Sequence, residues 1–115
     1  MPKLKITVVK KSNFNDMFGG NPPVAVDQTM LMPECHVFDV GQEFIIDTNR
    51  DATPAENWET APPGFCGWAF ADIQRDIIHI LWGGSYPWFK AKGTAVSCCT
   101  DGTRPVVFKI ERIED

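Results

Sequence analysis

The stretch PPGFCGWAFADIQRDIIHILWGGSYPWFK, residues 62–90, carries the only long helical pattern in the chain. Apolar residues recur there at helical spacing: Phe70, Ile73, Ile77, Ile80 and Leu81. A second apolar row lies beside the first: Trp68, Ala71, Ile78 and Trp82. The turn residues Pro62 and Gly64 precede the pattern and Gly83 follows it, as expected at helix ends. The pattern predicts a mostly buried helix over residues 67–82.

Polar residues of this helix fall on one face, at spacings of three and four: Asp72, Arg75, Asp76 and His79. Two carboxylates and an imidazole on one face are able to bind a metal or to move a proton. A row of this composition is also typical of a solvated helix surface, which is the interpretation we favour.

Alternation of apolar and polar residues predicts strands on either side of the helix. Residues 3–11, KLKITVVKK, form the first strand, and residues 43–47, EFIID, form a second one after a turn at Gly41. Residues 94–99 and 105–113 form a hairpin around Asp101 and Gly102. Residues 12–33 and 48–61 are long loops, the second with a possible helical turn at residues 54–58. The predicted fold is α+β: one domain over residues 1–115, with an antiparallel sheet of four or five strands and one main helix packed on one face.

Composition and charge narrow the classes of partner. The chain has 115 residues, 43% of them hydrophobic, and a formal net charge of −4. No basic cluster exceeds Lys10 and Lys11, so nucleic-acid binding is not expected. Neither a long apolar run nor a signal-peptide pattern is present, so we expect a cytoplasmic protein that does not enter membranes. In that compartment its four cysteines are expected to be thiols or ligands rather than disulfides.

Cys66 is the candidate catalytic residue, because a thiol just before a helix start lies near unpaired backbone amides that favour the thiolate. His36, His79 or Asp72 is the candidate proton partner. The alternative for Cys66 is a small buried side chain between Phe65 and Trp68.

The candidate metal ligands, for zinc or iron, are Cys35, His36, Cys66, Cys98 and Cys99. Their number suffices for a tetrahedral site, but their spacing matches no known metal-binding pattern.

Cys98 and Cys99 are consecutive in a predicted strand, so their side chains point to opposite faces. A two-residue turn at Asp101 and Gly102 places Cys99 opposite Arg104 and on the core face. A three-residue turn with a bulge reverses this assignment. The sequence leaves both alternatives open.

Five segments stand out as motifs. One is residues 35–45, in which Cys35 is followed by VF and then by GQEFI. The others are KLKITVVKK, PPGFCGWAFADIQRDI, GGSYPWFK and GTAVSCCTDGTRPVVFKIERI. In these segments the chain resembles a family of small prokaryotic proteins, near a hundred residues long, marked by FCxWAxxDIxRD, GGxxPW and CCTDGxRPVVFKIERI. The resemblance implies that the four cysteines, Asp101 and the 83–88 loop occupy motif positions. It implies no catalytic assignment, and residues 12–33 and 48–61 look longer than in the family.

Three functions remain as hypotheses. The first is a binding or accessory module whose cysteines hold a metal or a small thiol-reactive ligand. The second is a small redox or hydrolytic enzyme that uses Cys66. The third is a structural protein with inert thiols, which forms a homodimer through the aromatic loop 85–89 or through residues 12–33.

Overall fold

Within the described part of the chain, one antiparallel sheet of four strands organises the fold. The computed structural model describes residues 3–24, 33–47 and 61–114. In chain order the elements are β1 (Lys3–Lys11), α1 (Phe14–Phe18), β2 (Glu43–Asp47), α2 (Gly67–Leu81), β3 (Thr94–Cys98) and β4 (Val106–Glu114). The strands lie in the order β2-β1-β4-β3, so β1 and β4 are central and β2 and β3 are the edges.

The core lies between α2 and one face of this sheet. Alternate residues of β1 and β4 point toward the helix and are fully buried: Leu4, Ile6, Val8, Val106, Phe108 and Ile110. The helix contributes the row predicted from its spacing, of which Ile73, Ile77 and Ile80 are fully buried. Each such side chain contributes roughly 1.5–3 kcal/mol of burial free energy. The predicted α+β fold is therefore confirmed.

Only one side of α2 is buried, which corrects the prediction of a wide buried stripe. Trp68, Ile78 and Trp82 of the second apolar row are 60%, 41% and 58% exposed. Because the helix packs on a single sheet face, only residues within about a 100° arc can reach the core. The second row therefore lies at the surface, where three large apolar side chains remain accessible.

The loop predicted for residues 12–33 contains a short helix, α1, which corrects that prediction in part. Asn13 caps α1 by accepting a hydrogen bond from the Asp16 amide at 2.8 Å, and Phe14 is buried. The remainder of this segment from residue 25 to 32, and residues 48–60 with the predicted turn at 54–58, lie outside the described residues.

The connection between β3 and β4 is longer than the predicted two-residue turn. Cys98 pairs with Val107, and the Cys99 amide donates to the Val106 carbonyl at 3.1 Å. Cys99 is therefore opposite Val106, two residues beyond the predicted Arg104. Because side chains alternate with a period of two, a shift of two residues keeps Cys99 on the helix-facing side. The Asp101 carboxylate holds the connection by accepting bonds from the Thr103 amide at 3.1 Å and its hydroxyl at 2.7 Å.

Within residues 3–24, 33–47 and 61–114, no helix has the length and hydropathy that crossing a bilayer requires.

Candidate functional site

A small cavity of about 110 Å³ lies where the start of α2 meets the end of the β3–β4 hairpin. We call it the thiol cavity, and it is lined by Cys35, His36, Val37, Phe38, Cys66, Trp68, Ala69, Cys99, Asp101, Arg104 and Val106. Its walls are mainly hydrocarbon and sulfur. Three of the four predicted cysteines and the predicted histidine therefore line the same space, although they come from three distant parts of the chain.

Cys66 lies at the start of α2, as the sequence predicts. It is the N-cap residue, with extended backbone angles (φ −65°, ψ 127°), and its side chain makes no capping hydrogen bond. The backbone N–H groups of the first helical turn thus receive no side-chain cap from this position. Cys66 is partly buried, packed against the core cluster.

Cys99 is held by the backbone of the neighbouring strand. The Val106 amide donates a hydrogen bond to its Sγ at 3.3 Å. Burial raises the pKa of Cys99, and the nearby Asp101 carboxylate and Cys35 raise it further, whereas hydrogen bonds from the Val106 and Asp101 backbone oppose this. The net effect is a raised pKa, so the protonated thiol dominates at neutral pH.

Cys35 and His36 belong to the segment that leads into β2. Lys11, at the end of β1, positions this segment because its Nζ donates to the Cys35 carbonyl at 3.2 Å and pairs with Glu34 at 3.5 Å. Cys35 is partly buried and His36 is exposed, and both also line a shallower pocket beside the thiol cavity. His36 is therefore the histidine that shares a cavity with Cys66.

Two polar contacts involve cavity-lining residues on the hairpin side. Arg104 and Asp101 form an ion pair at 3.2 Å. Burial raises the pKa of Asp101, but hydrogen bonds from Thr103 and Arg104 and the Arg104 charge outweigh it and leave that pKa lowered, so the carboxylate is ionised at neutral pH. The Trp68 indole Nε1 donates to the Thr100 hydroxyl at 2.6 Å, which holds the ring beside the cavity.

Asp72 and His79, the other candidate proton partners of Cys66, do not line the thiol cavity. The Asp72 carboxylate accepts bonds from the Thr100 amide at 2.7 Å and the Thr100 hydroxyl at 2.9 Å, so it ties α2 to the hairpin. The His79 ring contacts Tyr86 with 4.8 Å between ring centres and a tilt of 38° between the ring planes. It lies thirteen residues after Cys66, which corresponds to about 20 Å along a helix.

Cys98 does not line the thiol cavity, so Cys99 is the member of this pair that shares it with Cys35 and Cys66. Its side chain is exposed and lines a separate groove of about 510 Å³. The alternation of side chains along β3 separates Cys98 from Cys99.

Metal binding receives no support from the geometry. Among the described residues, no three or more Cys, His, Asp or Glu side chains are grouped so that they could hold one metal ion. A structural zinc site needs four converging ligands, and a catalytic one needs three. Sharing one cavity wall therefore does not bring Cys35, Cys66, Cys99 and His36 into a zinc or iron site.

Two cavity residues were not singled out by sequence reasoning. Arg104 follows the turn motif, and no local pattern indicates that it pairs with Asp101 beside the cavity. Trp68 was assigned to the buried stripe, whereas its indole hydrogen bond to Thr100 depends on a residue far along the chain.

No protein-family model, no curated protein and no solved structure gives a significant match to the chain. The family resemblance of the motifs stays a prediction.

Proposed function

We propose that this protein is a binding module that captures a small, largely apolar, thiol-reactive molecule in the thiol cavity. The observation that supports this proposal is the convergence of Cys35, Cys66 and Cys99 on one apolar cavity of about 110 Å³. Nothing in the local sequence requires these three residues to meet.

The volume of the cavity limits the size of the ligand. An apolar cavity of about 150 Å³ in another protein accepts benzene. A cavity of about 110 Å³ is therefore suited to a molecule of that size or smaller. Nucleotides, flavins and peptides are too large, so the ligand class is a small organic electrophile.

The cavity walls determine the chemistry of this ligand. Val37, Phe38 and Val106 offer hydrocarbon, which disfavours a charged molecule because it would lose its hydration. A small α,β-unsaturated carbonyl compound fits these conditions. Its β-carbon forms a bond with the Cys66 sulfur, the carbon–carbon π bond breaks, and the thiol proton ends on the α-carbon. This addition is balanced without an oxidant, a reductant or a leaving group.

Cys66 is the proposed reacting thiol because it lines the thiol cavity at the start of α2. Cys99 is disfavoured, since its raised pKa keeps it protonated. Cys66 adjoins the uncapped first turn of α2, whose amides are available to a carbonyl oxygen of the ligand. His36 lines the same cavity and can accept the thiol proton during addition.

The enzyme hypothesis uses the same pair of residues. Cys66 as nucleophile and His36 as base would support a small cysteine-dependent enzyme, without Asp72 or His79. The binding module is preferred because, among the described residues, the carboxylate that lines the cavity with His36 is that of Asp101, which is bonded to Arg104 and Thr103.

A homodimer with inert thiols remains the third proposal, supported by exposed apolar side chains. Trp88 in loop 85–89 is 71% exposed, and Met17 and Phe18 at α1 are 45% and 43% exposed. Sedimentation of the wild type and of Trp88→Ala tests it, because a dimer through this loop would dissociate in the variant.

Two alkylating probes of different size test the binding proposal. Acrylamide is small enough for the thiol cavity, whereas N-benzylmaleimide is not. Peptide mapping by mass spectrometry measures which cysteine each probe modifies. We expect acrylamide to modify Cys66 as well as Cys98, and the bulky maleimide to modify Cys98 alone.

The matched controls are Cys66→Ser and Cys98→Ser. Each should remove one modified peptide and leave the other unchanged. Equal labelling of Cys66 by both probes would show that the cavity does not select by size, and no labelling by acrylamide would show that its thiols are inert. Either result would reject the proposal.

A further inference from the structure

The stretch of chain from residue 33 to residue 38, which we call the strap, lies between two concave sites. The thiol cavity is on one side of it. On the other side is a shallower pocket of about 310 Å³, which we call the outer pocket, lined by Lys11, Pro33, Glu34, Cys35 and His36. Cys35 and His36 are common to the two linings. The strap is therefore the wall between a small cavity and a space nearly three times as large.

The strap is anchored at its two ends. The Phe14 amide donates to the Pro33 carbonyl at 3.2 Å, which ties the first end to α1. At the other end Phe38 is 1% exposed and belongs to the core. Between these anchors Glu34 and His36 are exposed, so the middle of the strap lies at the surface. A short surface segment of this kind opens locally at a lower free energy than the sheet beneath it.

Lys11, the last residue of β1, bonds the middle of the strap to the sheet. Its Nζ donates to the Cys35 carbonyl at 3.2 Å and forms an ion pair with Glu34 at 3.5 Å. The Lys11 side chain is 15% exposed, so its hydrocarbon stem is buried and its ammonium group is largely removed from water. A cation in such a position is stabilised by the partners that it binds. This bond should therefore hold the strap more firmly than a pair of exposed side chains would.

The strand register directs Lys11 to the side of the sheet on which the thiol cavity lies. Lys11 is paired with Val106 of β4, and paired residues of neighbouring strands point to the same face of a sheet. Val106 lines the thiol cavity, and its amide donates to the Cys99 Sγ at 3.3 Å. One side chain thus connects the strand pair beneath the cavity to the strap that forms its wall.

We propose that Lys11 is a positioning residue that sets the upper size limit for ligands of the thiol cavity. While Lys11 holds the strap, a ligand has a space of about 110 Å³. When the strap is released, the thiol cavity opens into the outer pocket and admits a larger thiol-reactive molecule. This inference rests on the proposed function, since it concerns access to Cys66 in the same cavity.

Two alkylating probes measure this limit in the full chain. Acrylamide fits the closed cavity, whereas N-benzylmaleimide requires the open one. In each reaction the Cys66 sulfur bonds to one carbon of the probe's carbon–carbon double bond, and the thiol proton ends on the other carbon.

Peptide mapping by mass spectrometry gives the rate at Cys66 for each probe. That rate is divided by the rate at Cys98 in the same sample, because Cys98 is exposed and reports the reactivity of the probe itself. The size ratio is the normalised rate with N-benzylmaleimide divided by the normalised rate with acrylamide.

Lys11→Met removes the ammonium group and keeps a hydrocarbon stem that fills the same space. A hydrogen bond from a charged donor shifts the equilibrium between the closed and the open strap by about tenfold or more. We therefore expect the size ratio to rise at least about tenfold in Lys11→Met. Lys11→Arg retains a charged donor and should keep the size ratio within about twofold of the wild type.

Two control variants separate opening of the strap from other effects. Lys10→Met removes the same charge one residue away, at an exposed position that lines neither the thiol cavity nor the outer pocket, and should leave the size ratio unchanged. Ile77→Val lowers the stability of the whole domain, because Ile77 is fully buried in α2, and it lines neither site. The size ratio should also stay unchanged in Ile77→Val, whereas a probe that enters by global unfolding would label Cys66 faster in that variant.

Results that overturn this inference differ from those that reject the proposed function. Acrylamide that fails to label Cys66 in the wild type would reject the proposed function and this inference with it. Acrylamide labelling of the wild type with an unchanged size ratio in Lys11→Met would reject this inference alone, as would equal rises in Lys11→Met and Ile77→Val.

Glu34→Gln keeps the inference testable if Lys11→Met does not fold. It removes the ion pair at a side chain that is 50% exposed and leaves the bond from Lys11 to the Cys35 carbonyl in place. The size ratio should rise about twofold to threefold in this variant. An unchanged size ratio in Glu34→Gln would then reject the inference.

Discussion

Cys98 and Cys99 are consecutive residues, yet they lie in opposite chemical environments. Cys99 lines an apolar cavity of about 110 Å³, is partly buried and has a raised pKa. Cys98 faces an open groove of about 510 Å³ and is exposed. A single strand thus separates a small apolar cavity from a larger, more open groove. Residue type alone does not define a site, because the face of the strand decides which partner the thiol can meet.

The two sites also differ in how the chain builds them. The thiol cavity combines the 35–38 segment, the start of α2 and the β3–β4 connection, so it forms only when the whole sheet is assembled. The groove beside Cys98 is lined by residues between 75 and 98, which are one continuous part of the chain. We therefore expect core substitutions to damage the cavity more than the groove.

Phe38→Ala should produce the largest effect. Phe38 is 1% exposed, lines the cavity and packs at 5.0 Å from Phe65 and 5.1 Å from Phe108, measured between ring centres. Its truncation should lower the free energy of unfolding in urea by about 3–5 kcal/mol. Trp88→Ala in the groove wall is the matched control and should cost about 1 kcal/mol or less. Similar losses for the two variants would contradict the distinction between cavity and groove.

Asp72→Ala should have the second largest effect. It removes two hydrogen bonds to Thr100 and should cost about 1–2 kcal/mol in urea unfolding, since the contact is exposed. Cys66 should then react faster with acrylamide, because α2 is no longer tied to the hairpin beside the cavity. Asp39→Ala is the control, an exposed carboxylate whose loss should change stability by less than about 0.5 kcal/mol. Unchanged stability of Asp72→Ala would show that this tie is not structural.

Alkylation of the two adjacent thiols compares the sites directly. In folded protein at neutral pH, Cys98 should react with iodoacetamide at least about tenfold faster than Cys99, because Cys99 is partly buried and protonated. Cys98→Ser and Cys99→Ser identify the contribution of each thiol by mass spectrometry. In urea the two rates should converge, and equal rates in the folded protein would contradict the assignment of faces.

The smallest effect concerns the single tyrosine, so its ultraviolet titration reports Tyr86 alone. The hydrogen bond to Asp76 raises the pKa of Tyr86, and burial adds to this increase. We expect a midpoint above the ordinary value of about 10 and a return toward it in Asp76→Asn. Because the folded pKa exceeds the unfolded one, the stabilisation is present below the unfolded pKa and is lost as pH rises through the folded pKa. A wild-type midpoint at or below the ordinary value would rule out this bond in solution.

Sequence patterns predicted most elements because each depends on neighbouring residues. The 3–11 strand and the 43–47 strand have the predicted bounds, and α2 ends at Leu81, next to the predicted Trp82. The error in the hairpin turn arose because the Asp101 side chain stabilises a longer connection through Thr103 and Arg104. Residue types alone do not distinguish this longer connection from a two-residue turn.

Sequence reasoning identified the types of residue in the candidate site but only some of the residues that line it. Cys66 at the helix start follows from local signals, and the alternation of Cys98 and Cys99 separates them in any strand. Which of the two faces the core depends on the parity of the hairpin register, which the sequence left open. The predicted burial of Trp68 was too high, because the spacing of apolar residues does not indicate how many sides of the helix are covered by other elements.

Local patterns were enough to predict the strands, the helix and the face shared by its apolar residues, because these depend on periods of two and 3.6 residues. The folded arrangement alone shows that Cys35, Cys66 and Cys99 share a cavity while Cys98 faces a groove. These relations depend on the order and register of strands distant in the chain, and local periodicity contains no information about them.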